Sequence, residues 1–129
     1  VPGDFLIRSF LGMDPQSGAL WINERVPCNS VVQFHLRDAV TSALDLDRML
    51  TTYRASHPVP SNSGALLFSC AGRGFGLYGQ VDHDSNAFRR LVSDIPIGGF
   101  FCAGEIGPVQ SNTYLHGYTS AFAVFREKR

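Results

Sequence analysis

The sequence predicts an α+β fold: a mixed central β-sheet of about six strands with two main helices, one of them inside a parallel strand-helix-strand unit. Three observations carry that prediction. The chain has 129 residues, of which 44% are hydrophobic and 17% charged, enough for one core, so residues 1–129 are read as one domain. Two apolar runs, Ala65–Ser69 and Gly98–Phe101, each lead into Cys-Ala-Gly, at Cys70 and Cys102, an offset of 32 residues. The stretch between them contains an amphipathic segment, and strand-helix-strand of that length suits a parallel pair with a crossover helix.

Along the chain, Phe5-Leu6-Ile7 and Ala19-Leu20-Trp21-Ile22 flank Gly12-Met13-Asp14-Pro15-Gln16-Ser17-Gly18, a turn sequence that predicts a strand–loop–strand unit. Val32, Phe34 and Leu36 alternate with polar residues, which predicts a half-buried strand. Asp38 precedes a run from Ala39 to Tyr53 with Val40, Ala43, Leu44, Leu46, Met49, Leu50 and Tyr53 at helical spacing. Pro58 and Pro60 end that helix, because proline lacks an amide donor and restricts the residue before it. Asp84 or Ser85 caps a second helix with Ala87, Phe88, Leu91 and Val92 on one side, ahead of Pro96. Thr113–His116 and Ala121–Phe125, separated by Gly117–Ser120, predict a closing hairpin at a sheet edge.

Composition excludes several function classes. Eleven basic and eleven acidic residues leave a formal net charge of +0, which argues against a general electrostatic grip on nucleic acid. No apolar run approaches the roughly 18–20 residues needed to span a bilayer, so no membrane partner is expected. Cys28, Cys70 and Cys102 match neither a disulfide framework nor a Cys-x-x-Cys zinc motif, which suits a reducing cytoplasm. The four histidines show no short metal-binding spacing. The chain starts at Val1 without Met and reads as a segment of something longer.

The candidate site lies where the two Cys-Ala-Gly blocks end. Parallel neighbours would bring their carboxyl ends side by side, the place where open sheets bind ligands. Gly72, Gly74 and Gly76 permit a close backbone approach there. Arg73 offers a guanidinium fork for a carboxylate or phosphate, and Glu105 an acceptor for an ammonium, together suited to a zwitterion such as an amino acid. The same two residues could instead form a purely structural salt bridge. Without Gly-Lys-Ser/Thr and a following helix, the glycine loop is not a nucleotide-binding motif. Cys70 as a nucleophile, activated by Arg73 or by His116, is the competing enzymatic reading.

Three blocks resemble the FIST C-terminal domain: Leu66–Arg73, Pro96–Pro108 and Asn112–Thr119 (NTYLHGYT). Phe5–Arg8, Gly12–Pro15 and Val32–Asp38 are similar to that family's opening blocks in the same order. The resemblance implies a cytoplasmic sensory or signal-transduction domain that follows an N-terminal FIST domain. It implies small ligands such as amino acids as binding partners. Some relatives are similar to haem-binding sensors, and others are F-box proteins in which this region recognises substrates for ubiquitination. Carried over by position, the ligand-binding residues are Cys70, Gly72, Arg73, Gly104, Glu105, Asn112 and His116, while Cys102 takes no role. The expectation is therefore a small-molecule-sensing module without catalytic residues, a bound metal or a resident cofactor, haem having no assigned ligand. Its partners would be the small ligand, an N-terminal FIST domain, and signalling or ubiquitin-ligase components. The alternatives are a cysteine-dependent enzyme and a protein-interaction module.

Overall fold

The structure, a computed structural model, describes residues 6–128. Among them the class is α+β, as the sequence predicts, with seven strands and three helices. In order these are β1 (Phe10–Met13), β2 (Leu20–Ile22), α1 (Ala39–Ser56), β3 (Gly64–Cys70), α2 (Phe75–Tyr78), α3 (His83–Leu91), β4 (Ile97–Cys102), β5 (Glu105–Val109), β6 (Asn112–His116) and β7 (Ser120–Phe125).

The strands do not form one six-stranded sheet. They divide into a β1-β2 hairpin, a central sheet in the order β4-β3-β7, and a β5-β6 hairpin. The parallel unit is present: β3 and β4 run side by side, with Cys70 in register with Cys102 and Ala65 with Ile97. The repeat of 32 residues is thus the register itself. The expected closing hairpin is replaced by two other pairings. β6 returns antiparallel to β5, and β7 crosses to the far side of β3, where Phe122 meets Leu67. Residues 31–36 form no strand; Val31, Val32, Phe34 and Leu36 are exposed. Alternation there specifies two faces but finds no partner strand. Of the first apolar run, Phe5 lies outside the described residues and Leu6 and Ile7 adopt no regular structure.

The helices follow local chemistry. Asp38 caps α1, its carboxylate accepting from the Thr41 amide at 3.0 Å and from the Thr41 hydroxyl. The helix closes at His57, whose amide donates to Tyr53 O and whose ring stacks on Tyr53 at 4.8 Å, just before Pro58. Its apolar stripe is narrower than the sequence suggests: Leu46 and Leu50 are buried, while Val40, Leu44 and Met49 are exposed. α3 starts after Asp82 rather than at Asp84, which sits in the first turn. Leu46 and Leu50 of α1 meet Ala87, Phe88 and Val92, together with Val59, Ala65 and Ile95, in the core. Phe88 is fully buried and stacks on Phe122 at 5.3 Å, so the core joins both helices to the sheet.

Gly99 holds β3 and β4 close. Its φ is +152°, and a Cβ there would stand 1.8 Å from the Leu67 carbonyl oxygen, a backbone atom that cannot swing away. Gly99→Ala is expected to cost at least about 1–3 kcal/mol, the scale of local backbone strain. Urea unfolding should show it as a lower midpoint. A midpoint unchanged from wild type would mean that β4 can shift along β3 without penalty.

Candidate functional site

The rim at the carboxyl ends of β3 and β4 contains the predicted charged residues, but not as partners of one another. Arg73 enters the fold through the loop after β3 and is nearly buried. Its Nε donates to Asp84 Oδ2 at 2.8 Å and its Nη2 to Asp84 Oδ1 at 3.1 Å, a two-pronged ion pair. Nη1 donates to Ser42 Oγ at 3.0 Å and Tyr118 O at 3.4 Å. Arg73 is therefore neutralised inside the domain, and the expected Arg73–Glu105 juxtaposition gives way to Arg73–Asp84.

Asp84 collects further donors. Ser69 Oγ reaches Oδ2 at 3.0 Å, the Ser120 hydroxyl donates to the same oxygen, and His83 Nδ1 donates to Oδ1 at 2.9 Å. Burial alone would raise the Asp84 pKa. Hydrogen bonds from Arg73 and Ser120, the Arg73 charge and the His83 contact outweigh it and hold the carboxyl at about 2. Burial likewise works against the Arg73 charge, but the bonds and field of Asp84 raise the guanidinium above its usual range. The bond to Asp84 fixes the proton of His83 on Nδ1, since a carboxylate only accepts. The imidazole lies flat against the Tyr78 ring, centroids 3.5 Å apart, and the Tyr78 hydroxyl meets Ser42 Oγ at 2.9 Å.

Glu105, at the start of β5, is 1% exposed. Thr119 supplies its amide at 3.2 Å and its hydroxyl at 3.0 Å, and the Cys102 thiol donates at 3.4 Å. Partial burial first, then the Glu105 carboxylate, raises the Cys102 pKa, which keeps the thiol protonated and lowers its nucleophilicity. Three consecutive residues join the two acids: Tyr118 O accepts from Arg73, Thr119 binds Glu105, and Ser120 binds Asp84. Tyr118 holds a positive φ of 64°, and the Arg37 guanidinium lies 4.6 Å from its ring centroid while donating to Gly72 O at 3.0 Å.

The remaining predicted residues divide. Cys70 is buried beside Cys102 in register, and its amide donates to Thr119 O. Gly104 packs against Leu115. His116 pairs with Glu105 across the β5–β6 ladder, its Nε2 meeting Gly107 O at 2.9 Å rather than a thiol. Asn112 stands at the other end of that hairpin, opposite Val109, away from the rim. Gly72, Arg73, Gly104, Glu105 and His116 thus share a region, and Asn112 does not join it.

Beside Arg73, between the start of α3 and the β3–β4 pair, opens a cavity of about 430 Å³ lined by Arg73, Asp82, His83, Arg89, Gly98 and Gly99 among others. Sequence reasoning missed Asp84 and His83 as site residues. The available signal was topological: a crossover helix begins at the end of the strand that precedes it, so its first-turn acid faces the same rim as Arg73. Among the described residues no group of three or more His, Cys, Asp and Glu is placed to hold a metal ion. His116 is engaged by Gly107, His57 stacks on Tyr53, and His83 lies flat against Tyr78 beside a polar cavity.

The profile of the FIST C domain matches residues 1–108. The chain belongs to the FIST C domain family. That family is one of sensory and signal-transduction domains rather than catalytic ones. The uncharacterized protein Rv0628c of Mycobacterium tuberculosis is 48% identical to this FIST C domain over 124 residues, 95% of the chain and 32% of that protein. The uncharacterized protein Mb0898c of Mycobacterium bovis is 45% identical over 124 residues, with the same coverage of 95% and 32%. Human F-box only protein 22 is 29% identical over 134 residues, 90% of the chain and 29% of that protein. The chain spans about a third of the length of the curated relatives it matches. No helix among the described residues of this FIST C domain is long and apolar enough to cross a membrane.

Proposed function

We propose that this FIST C domain is a cytoplasmic sensory module that binds a small molecule in the cavity between α3 and the β3–β4 pair. The observation that supports the reading is the juxtaposition of that cavity with the Arg73–Asp84–Ser120 network. A ligand touching Arg73 touches a group hydrogen-bonded to Tyr118 O, and one touching Arg73 or His83 is linked through Asp84 to Ser120, while through Thr119 the loop continues to Glu105. Occupancy at one sheet end then has a connected route to the β5–β6 hairpin, the kind of physical contiguity that coupling requires. Amino acids remain the first ligand class to test. Arg89 lines the cavity and its side chain makes no ion pair or hydrogen bond among the described residues, so it replaces Arg73 as the cation offered to a ligand carboxylate. Cys70, Gly72, Gly104, Glu105 and His116 act in this reading as the frame behind the cavity. An N-terminal FIST domain in the same polypeptide would receive the signal.

A thermal-shift screen with amino acids, other small metabolites and haem tests the reading. A compound at about 100 times its dissociation constant should add roughly 2.7 kcal/mol. Arg89→Ala should reduce the shift for carboxylates without lowering the melting temperature of the free domain. Arg73→Ala is unsuitable for this purpose, because it removes the partner of a buried carboxylate. No shift with any compound would favour the second reading, a protein-recognition surface. That reading draws on the similarity to F-box only protein 22 and on Leu66, Phe100 and Phe125, exposed on the central sheet.

A further inference from the structure

We propose that residues 31–36 are a strand of a sheet whose other strands lie in the part of a longer polypeptide outside this chain. Val32, Phe34 and Leu36 alternate with Val31, Gln33 and His35, the pattern of a strand with one apolar face. The fold of the chain leaves that pattern unused. The three apolar side chains are 69%, 83% and 96% exposed. No hydrogen bond joins the backbone of Val31, Val32, Gln33, Phe34 or Leu36 to another described residue. The end of the segment is nonetheless fixed, because Arg37 donates to Gly72 O and Asp38 caps α1. It therefore offers free backbone groups and an apolar stripe, the two means by which a strand joins a sheet edge.

The amount of exposed surface selects the rest of a longer polypeptide as the occupant. A compact chain of 14.1 kDa exposes about 6,700 Å². This one exposes 9442 Å². The six terminal residues outside 6–128, counted as open chain, account for about 1,000 Å² of the difference. What remains is about twice the ~800 Å² that one partner gives up in an ordinary dimer. Two copies paired through residues 31–36 would form only a two-stranded ribbon, which is marginal in water. In the mycobacterial relatives the matching region is 32% of the polypeptide, so the chain tethered to it is the larger part. A tethered segment acts at an effective concentration in the millimolar range, above that of a second copy in solution. The partner is thus a sheet edge in that larger part, with an apolar face that receives Val32, Phe34 and Leu36.

Hydrogen exchange on the protein expressed from its full gene tests the proposal. Alternate amides across residues 31–36 should exchange at least about a hundredfold more slowly than in an unstructured peptide, equally at roughly 1 µM and 100 µM. Phe34→Asp should lower the melting temperature of that protein by at least about 5 °C, although the ring is exposed in this chain. Exchange of all six amides at the unstructured rate overturns the proposal. Protection that appears only at the higher concentration also overturns it, since a second copy would then be the partner. Equal protection in the 129-residue chain by itself does the same, since no outside strand would be needed. Where Phe34→Asp does not fold, the exchange of the wild-type protein decides.

Discussion

Asp84→Ala is expected to lower the stability of the domain by about 3–5 kcal/mol, the cost of leaving one member of a buried ion pair alone. The loss is concentrated on Arg73, which is nearly buried and donates two of its hydrogen bonds to that carboxylate. Ser69, His83 and Ser120 also lose their acceptor. For a domain whose total stability is on the order of 5–15 kcal/mol, that is a large fraction. Urea unfolding at neutral pH measures it, and a loss below about 1 kcal/mol would show that water reaches Arg73 freely. Acid titration gives an independent check. The folded pKa of Asp84 is about 2, against a reference of 3.8, so the pKa is depressed on folding. The contribution is therefore complete above about pH 4 and is lost as the pH falls through about 2. The difference corresponds to roughly 2 kcal/mol. Asp84→Asn should flatten the stability curve across that window. A wild-type curve that is already flat there would contradict the ion-paired geometry.

Phe88→Ala should cost about 3–5 kcal/mol by opening a cavity at the centre of the core. Phe88 has no exposed surface, stacks on Phe122 of β7, and shares its cluster with Leu46 and Leu50 of α1. Removing the ring detaches three elements from one another at once. Phe88→Leu keeps most of the volume and should recover more than half of the loss. Equal midpoints for the alanine and leucine variants in urea would mean that the helices collapse onto the sheet and fill the space.

Local chemistry was legible in the sequence where it acts within a few residues. Asp38 three positions before Thr41 specifies the cap of α1, and Pro58 specifies its end. The Cys-Ala-Gly repeat specified more, because two strands joined by one crossover helix have few ways to pair. Residues 31–36 and 113–125 show the limit. A strand's alternation identifies its faces, whereas its neighbour depends on which backbone edge is free elsewhere in the fold. Thus β6 took β5 and β7 took the open side of β3.

The candidate site divides along the same line. From the sequence alone follow a family, an α+β class, and a rim of glycines and charges after two parallel strands. Tertiary structure decided which charges meet: Asp84, carried by the first turn of α3, neutralises Arg73, while Thr119 and Cys102 enclose Glu105. The reason is energetic. A buried charge selects the nearest geometry that satisfies all its hydrogen bonds, and that geometry exists only after α3, β5 and the loop before β7 have packed together.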